Sequence, residues 1–221
     1  MKKNVQKIIL ILAAAAALLG CKRPADTLRT GDLIFVGIPE DYSIEEGSMS
    51  EAISASTSRG GLNIIHTAIA DVAPDGIWII DATLRHGVDR HPLDTFLTDF
   101  TLKDGSLPEF IVMRLRDTTG VGASVRRARS RTGLAYNCSF VPCDTALYCT
   151  ELVHDSYLDA TGNPVFGEAP MNFLAPDGTM PLYWEQLFGI LGIPVPQGVP
   201  GTNPRAMSEE PCLQTVKVTL K

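Results

Sequence analysis

Between Asn63 and Ala82 the chain reads NIIHTAIADVAPDGIWIIDA, and no other stretch limits the fold as much. Residues 63–70 and 77–82 are dense in β-branched and apolar side chains, the composition of strands. Residues 71–76 hold Pro74 and Gly76, which punctuate a turn. Strands joined so closely run antiparallel, because a parallel pair needs a crossover of about a dozen residues or more. If the turn occupies residues 71–76, Ala70 pairs with Ile77, and the same register sets His66 opposite Asp81. Directly opposed side chains start about 4.5–5.5 Å apart at Cβ. A carboxylate at that distance can accept an imidazole proton and fix its tautomer. Alternation gives Ile64, Ala68 and Ala70 to the His66 face and Ile65 and Ile69 to the other, so the sheet is expected to be covered on both sides. A polar pair in that setting is either a catalytic couple or a core histidine satisfied by its neighbour, and the hairpin alone leaves both open.

The remaining pattern adds strands at 32–38 (DLIFVGI), 110–116 and 214–220, and helices at 44–58, 92–100, 121–131, 148–160 and 182–191. Helices around a run of hairpin-connected strands predict an α+β domain, an antiparallel sheet packed against helices. The Gly/Pro-rich stretch 193–211 predicts no regular element.

The N-terminus carries Lys2, Lys3 and Lys7, then an apolar run over 8–19 that ends in Leu18-Leu19-Gly20-Cys21. A basic start and about a dozen apolar residues have the proportions of a secretory signal; a membrane span needs roughly 20. Small or apolar residues before a cysteine form a bacterial lipobox. The expectation is therefore a signal at 1–20, a lipidated Cys21 with a short tether over 21–29, and one domain over 30–221. Several acyl chains on Cys21 would anchor the domain stably to a membrane of the cell envelope. Loss of the leader removes three of the 19 basic residues and none of the 25 acidic ones, so the net charge moves from −6 to −9. That balance speaks against nucleic acid, which demands a basic footprint.

Four cysteines follow: Cys138, Cys143, Cys149 and Cys212. In an oxidising compartment Cys138 and Cys143 could bridge locally. Zinc on Cys138, Cys143, Cys149 and His154 is a weaker alternative, because the C-x4-C-x5-C spacing lacks C-x2-C pairs. Cys149 opens the helix predicted from residue 148. Residues 149, 152, 153, 156 and 157 share one face of it, so the thiol points inward near the helix's positive end. Such a position, with an imidazolium alongside, stabilises a thiolate. A buried structural cysteine is the competing reading.

Taken in order, TGDLIFVG (30–37), STSRGGLNIIHTAIA (56–70), IIDATLRHGVDRHPLDTFL (79–97), YNCSF (136–140) and YCTELVHDSY (148–157) resemble the circularly permuted papain-like amidases of the YaeF/YiiX type. These are relatives of NlpC-type cell-wall peptidases and of lecithin retinol acyltransferase. The resemblance implies a permuted papain-like cysteine peptidase fold, with Cys149 as nucleophile, His66 as base and Asp81, where relatives often have Glu, as the residue that orients it. It implies that Tyr148 lines the site, and it leaves Asn137, where many relatives have Asp, without a role. The expected activity is hydrolysis of an amide bond in a peptidoglycan peptide or an N-acyl lipid-like molecule. Acyl transfer to another acceptor and non-catalytic binding of peptide or lipid are the alternatives. No cofactor and no obligate protein partner are expected. His86, His91 and His154 read as surface or structural residues. Arg126, Arg127, Arg129 and Arg131 read as a solvated helix face, and residues 184–193 as core packing before an acyl pocket.

Overall fold

A computed structural model describes residues 27–57 and 59–221. The leader and Cys21 lie outside them. Among the described residues no helix is long and apolar enough to cross a membrane.

The predicted hairpin forms two adjacent strands of a six-stranded antiparallel sheet. Its strands are β1 (Leu33–Ile38), β2 (Asn63–Ala73), β3 (Gly76–Thr83), β4 (Gly87–Pro92), β5 (Glu109–Leu115) and β10 (Leu213–Thr215), in the order β10-β5-β1-β2-β3-β4. The turn is tighter than the sequence reading placed it. Strand β2 runs on to Ala73, which pairs with Gly76, and Ala70 faces Ile79 instead of Ile77. The shift is two residues, so the tighter turn by itself reverses no side chain, where a shift of one would have reversed them all. Strand β4 was not anticipated. Gly87 starts it at φ +66, and a Cβ there would lie 2.3 Å from the Leu134 carbonyl oxygen, so glycine is required on both counts.

One face of the sheet buries Leu33, Phe35, Ile69 and Ile80 beneath helix α4 (Cys149–Ser156), which lies against β2 and β3. The predicted inward face of this helix holds: Leu152, Val153 and Tyr157 are buried. The helix is shorter than the expected 148–160. Tyr157 leaves it with ψ 91, and its hydroxyl donates to the Gly31 carbonyl. The Asp159 carboxylate then accepts the Thr161 and Asn163 N–H groups in a side-chain turn that offers the backbone an alternative to helix. The opposite face buries Ile34, Val36, Ala68, Ala70 and Ile79 under Phe96 and Leu97 of α2 (Leu93–Asp99). Both faces are therefore covered, as expected. Leu28, assigned from sequence to the tether, is buried in this second cluster.

Alternation along β2 breaks at one point. Val36 pairs with His66, but Gly37 pairs with Ile64, so Ile65 is an extra residue. This bulge puts Ile64 in the cluster of Ile69, and Ile65 in that of Ala68 and Ala70, reversing the predicted faces of both.

A third, aromatic cluster sits between helix α1 (Met49–Thr57) and α5 (Leu182–Leu191), joining Ala52, Phe140, Tyr148, Met171, Phe173, Trp184 and Phe188. Chain that carried no strong pattern completes it. Short strands β8 (Ala169–Pro170) and β9 (Pro200–Gly201) pair antiparallel, and helix α6 (Pro204–Ser208) follows with Asn203 as its N-cap. Two further two-residue strands, β6 (Ala135–Tyr136) and β7 (Ala146–Leu147), pair in parallel just before α4.

On helix α3 (Val121–Ser130) Arg126 is exposed, as expected of a solvated arginine face, but Arg127, Arg129 and Arg131 are engaged. Arg129 grips the buried Asp71 carboxylate with two donors, and Arg90 adds a third at 2.7 Å. Arg127 donates to the Ser156 carbonyl at 2.7 Å, and Arg131 pairs with Asp155. Burial alone would raise the Asp71 pKa, but the hydrogen bonds from Arg129 and Arg90 hold it below the ordinary carboxylate range. These arginines fasten α3 to the sheet and to α4.

Candidate active site

The backbone turns from β7 into α4 at Tyr148, the extended N-cap residue, and Cys149 is the first residue of the helix. Its N–H is one of the first-turn donors for which the helix provides no carbonyl. Tyr148 N–H is satisfied by the Glu151 carboxylate at 3.1 Å, the backward half of a capping box. The same oxygen accepts from Asn137 Nδ2 at 3.1 Å. Asn137 also donates to the Val141 carbonyl, so it ties the 137–141 loop to the start of α4. The resemblance left this residue without a role; here it positions the turn that presents the thiol.

Burial pushes the Glu151 carboxyl up to about 7, against the opposing pull of Tyr148 N–H and Asn137. The folded state therefore binds a proton that the unfolded chain, with a glutamate pKa of about 4.3, has lost. Stability from this group is complete below about pH 4.3 and falls as pH rises toward 7. Glutamine can accept both hydrogen bonds without that charge. Glu151→Gln is expected to unfold at a higher temperature than wild type at pH 8, by about 1–2 kcal/mol of stability, and to show no gain at pH 4. Thermal melts at the two pH values check this; equal shifts at both would contradict it.

On the sheet side, His66 is 6 % exposed, and its Nε2 lies 2.8 Å from Asp81 Oδ2. The two are not directly opposed, as the sequence register had them. In the observed register they are diagonal neighbours on one face, still within reach of long side chains. Phe100 packs on the imidazole at 4.7 Å between ring centroids, with Phe96 beyond it. With Nε2 committed to Asp81, Nδ1 is the nitrogen left for a partner. Cys149 lies near enough to the ring to influence its protonation. Burial by itself would lower the His66 pKa; the Cys149 charge, the Asp81 hydrogen bond and the Cys149 hydrogen bond together raise it to about 10. His66 is thus bonded to Asp81 and near enough to Cys149 for that residue to raise its pKa.

One neighbour of this group escaped the sequence reading. His91 is buried, with Nε2 3.9 Å from Asp81 Oδ1 and Nδ1 3.5 Å from Asp89 Oδ2. It stands behind the Asp81 carboxylate because it lies on β4, the strand whose period-2 pattern was too short to register. His86 pairs with Asp99, and His154 with Asp155.

Beside Cys149, on a side where His66 does not reach, opens a cavity of about 330 Å3. Tyr148 lines it together with the aromatic cluster. The Tyr148 hydroxyl accepts from Thr202 N–H at 3.2 Å, and burial pushes its pKa up to about 12.

Cys138 and Cys143 are both free thiols, so the local disulfide that their spacing would allow is not formed. The half-buried Cys138 lies near Tyr136 and Tyr183, whereas the exposed Cys143 faces a separate hollow with Glu151 and His154. Cys149 opens into the other cavity, so the four residues weighed for zinc do not converge. Among the described residues no group of three or more His, Cys, Asp or Glu is placed to hold a metal ion.

The model of the permuted papain-like amidase enzymes, the YaeF/YiiX or C92 family, matches residues 27–217. Five chains of solved structures are similar. One is the crystal structure of the metalloprotein yiiX from Escherichia coli O157:H7, at 24 % identity and a TM-score of 0.64 over 85 % of this chain and 96 % of that one, a likeness that bears on the fold. No curated protein matches.

Proposed function

This chain belongs to the permuted papain-like amidase family and is a cysteine amidase, a hydrolase acting on peptide-like amides; from that premise we propose that it works through Cys149, His66 and Asp81. The observation that carries the assignment is the imidazole held at 2.8 Å by a buried carboxylate and near enough to Cys149 for that residue to raise its pKa. In this reading His66 takes the thiol proton of Cys149. The thiolate attacks the amide carbonyl, and the anion that forms is met by the free N–H of the first helical turn. His66 gives its proton to the departing nitrogen, the C–N bond breaks, and a thioester on Cys149 remains. Neutral His66 then takes a proton from water. The resulting hydroxide attacks the thioester, and the carboxylic acid leaves as the thiolate is regenerated. Asp81 keeps Nε2–H occupied, so that Nδ1 always faces sulfur.

Alkylation by iodoacetamide tests the pair directly. Wild-type Cys149 is expected to react fast at pH 6 while the exposed Cys143 reacts slowly, and His66→Ala is expected to slow Cys149 by at least about tenfold at that pH. Equal rates at Cys149 and Cys143, mapped by mass spectrometry, would remove the ion pair from the account.

The lipobox supports a second part of the proposal: Cys21 is acylated and tethers the enzyme to a cell-envelope membrane, within reach of cell-wall peptides and N-acyl lipids alike. Expressed with its leader in a bacterium, the wild type is expected in the membrane fraction with a mass increase on Cys21. Cys21→Ser that still sedimented with membranes would refute the tether.

A further inference from the structure

We infer, on the reading that His66 and Asp81 serve Cys149, that His91 is a positioning residue acting through Asp81: its Nε2 carries a proton and donates it to Asp81 Oδ1, which holds the other oxygen, Oδ2, on His66. Asp81 of β3 stands opposite Asp89 of β4. His91, two residues further along β4, belongs to the same face. His66 of β2 lies on the other flank, with Nε2 2.8 Å from Asp81 Oδ2. Three neighbouring strands thus place imidazole, carboxylate and imidazole in a row. Phe96 of α2, fully buried, has its ring centroid 6.4 Å from that of His66 and 6.5 Å from that of His91, and shields the row from solvent.

The second oxygen of Asp81 needs a donor. Asp81 is buried, and among the described residues Oδ1 has no hydrogen-bond partner. An acceptor left in that state bears its full desolvation penalty. His91 Nε2 faces it at 3.9 Å and is itself buried with no hydrogen bond. That separation exceeds an N–H···O bond by about 1 Å, which a rotation of either side chain removes. The other ring nitrogen, Nδ1, lies 3.5 Å from Asp89 Oδ2. Competition for the single proton of a neutral ring is uneven. The Asp89 side chain is 39 % exposed, so water can serve it, whereas Asp81 Oδ1 has no such recourse. A charged ring would donate to both carboxylates. Nε2 therefore holds a proton in either state. His86, the remaining titratable neighbour, has its ring 6.0 Å from that of His91 and its Nε2 on Asp99 of α2, so it does not compete. A carboxylate held by one oxygen pivots, and one held by both does not. His91 thereby sets the angle at which Oδ2 meets the His66 ring.

The chain has four histidines, few enough for two-bond proton–nitrogen spectra of the full-length protein with nitrogen-15 histidine to separate the rings. Loss of signals in His91→Gln identifies those of His91. Its Nε2 is expected to be protonated, with a downfield proton that moves upfield in Asp81→Ala. A bare Nε2, with the proton on Nδ1 alone, would overturn the inference, and the wild type decides this even if no variant folds. His91→Phe keeps a ring and loses the donor, and it is expected to lower kcat about five- to twentyfold. His91→Gln, whose amide nitrogen stands near the place of Nε2, should come within about threefold of wild type, while His91→Asn, which reaches only as far as Nδ1, should not. In an Asp81→Ala background His91→Phe should cost less than about twofold, because the group it acts through is gone. A full loss in that background, or a glutamine no better than phenylalanine, would show that His91 serves packing alone and overturn its role. The hydrolase reading fails separately. A protonated Nε2 bonded to Asp81 in a protein that turns over no amide would refute that reading and leave the hydrogen bond standing. A bare Nε2 in a protein whose turnover requires Cys149 would do the reverse.

Discussion

Cys149→Ala is expected to lower kcat for an amide substrate by at least about 10^4-fold, and His66→Ala to lower it by a similar factor. Each step of the reaction passes through both groups. Without sulfur there is no thioester to divide one difficult hydrolysis into two easier ones. Without the imidazole nothing near the thiol can take its proton and return it to the departing nitrogen. Because the two residues act as one unit, their losses do not add: the double variant should be about as slow as either single one. Side-by-side progress curves for the four proteins, on an amide substrate that the wild type turns over, check this. Residual activity in Cys149→Ala above about 1 % of wild type would mean that the nucleophile lies elsewhere. A double variant far slower than either single one would mean that the residues serve separate steps.

The parts of this molecule legible from sequence are those whose physics is local. The strand pair of β2 and β3 and the inward face of α4 are set by periodicity within about ten residues, and they came out as read. The register between β2 and β3 did not, because it depends on where the turn tightens. Pro74 and Gly76 say that the chain turns but leave two residues of latitude. His66 and Asp81 still meet because the error was even, and a flexible carboxylate and a long imidazole bridge a diagonal. The bulge at Ile65 has no signature in β2 itself; it arises from the pairing with β1.

Other misses were of groups whose roles exist only across the fold. Asp71 looked like the first residue of a turn, yet it is a fully buried strand residue whose charge is met by Arg90 from β4 and Arg129 from α3. No window of sequence holds all three. The same is true of the cavity. Phe140, Met171, Phe173 and Trp184 come from a loop, from irregular chain and from α5, and Thr202, which fixes the Tyr148 hydroxyl, lies in the stretch that predicted no element. Trp184 was read as core packing, and it is that, while also forming a wall of the space beside the thiol. The expected disulfide failed for a related reason. Nearness in sequence said nothing about direction: Cys138 lies half-buried near Tyr136 and Tyr183, while Cys143 is exposed at a separate hollow.

Asp81 separates orientation from charge, and its two replacements should differ in kind. Asp81→Asn keeps an oxygen to accept Nε2–H, so the ring stays turned with Nδ1 toward sulfur, but the negative charge is gone. Asp81→Ala removes both. In the folded protein the His66 pKa stands at about 10, with the Asp81 hydrogen bond and charge among the interactions that raise it. An unfolded histidine titrates near about 6.5. The stabilisation from proton binding at His66 is therefore complete below about pH 6.5 and is lost as pH rises toward 10. Without the Asp81 charge that upper limit moves down, and the reactive pair should dissolve at lower pH. Asp81→Asn is expected to lower kcat/KM about tenfold at pH 7 and to shift the alkaline limb of the pH profile toward neutrality. Asp81→Ala should cost about 10^2- to 10^3-fold, because a ring free to rotate presents the wrong nitrogen for much of the time. The profile matters more than the rate. A residue that merely fills space behind the histidine would lower activity at every pH alike, so an unshifted alkaline limb in Asp81→Asn would place Asp81 outside the catalytic unit.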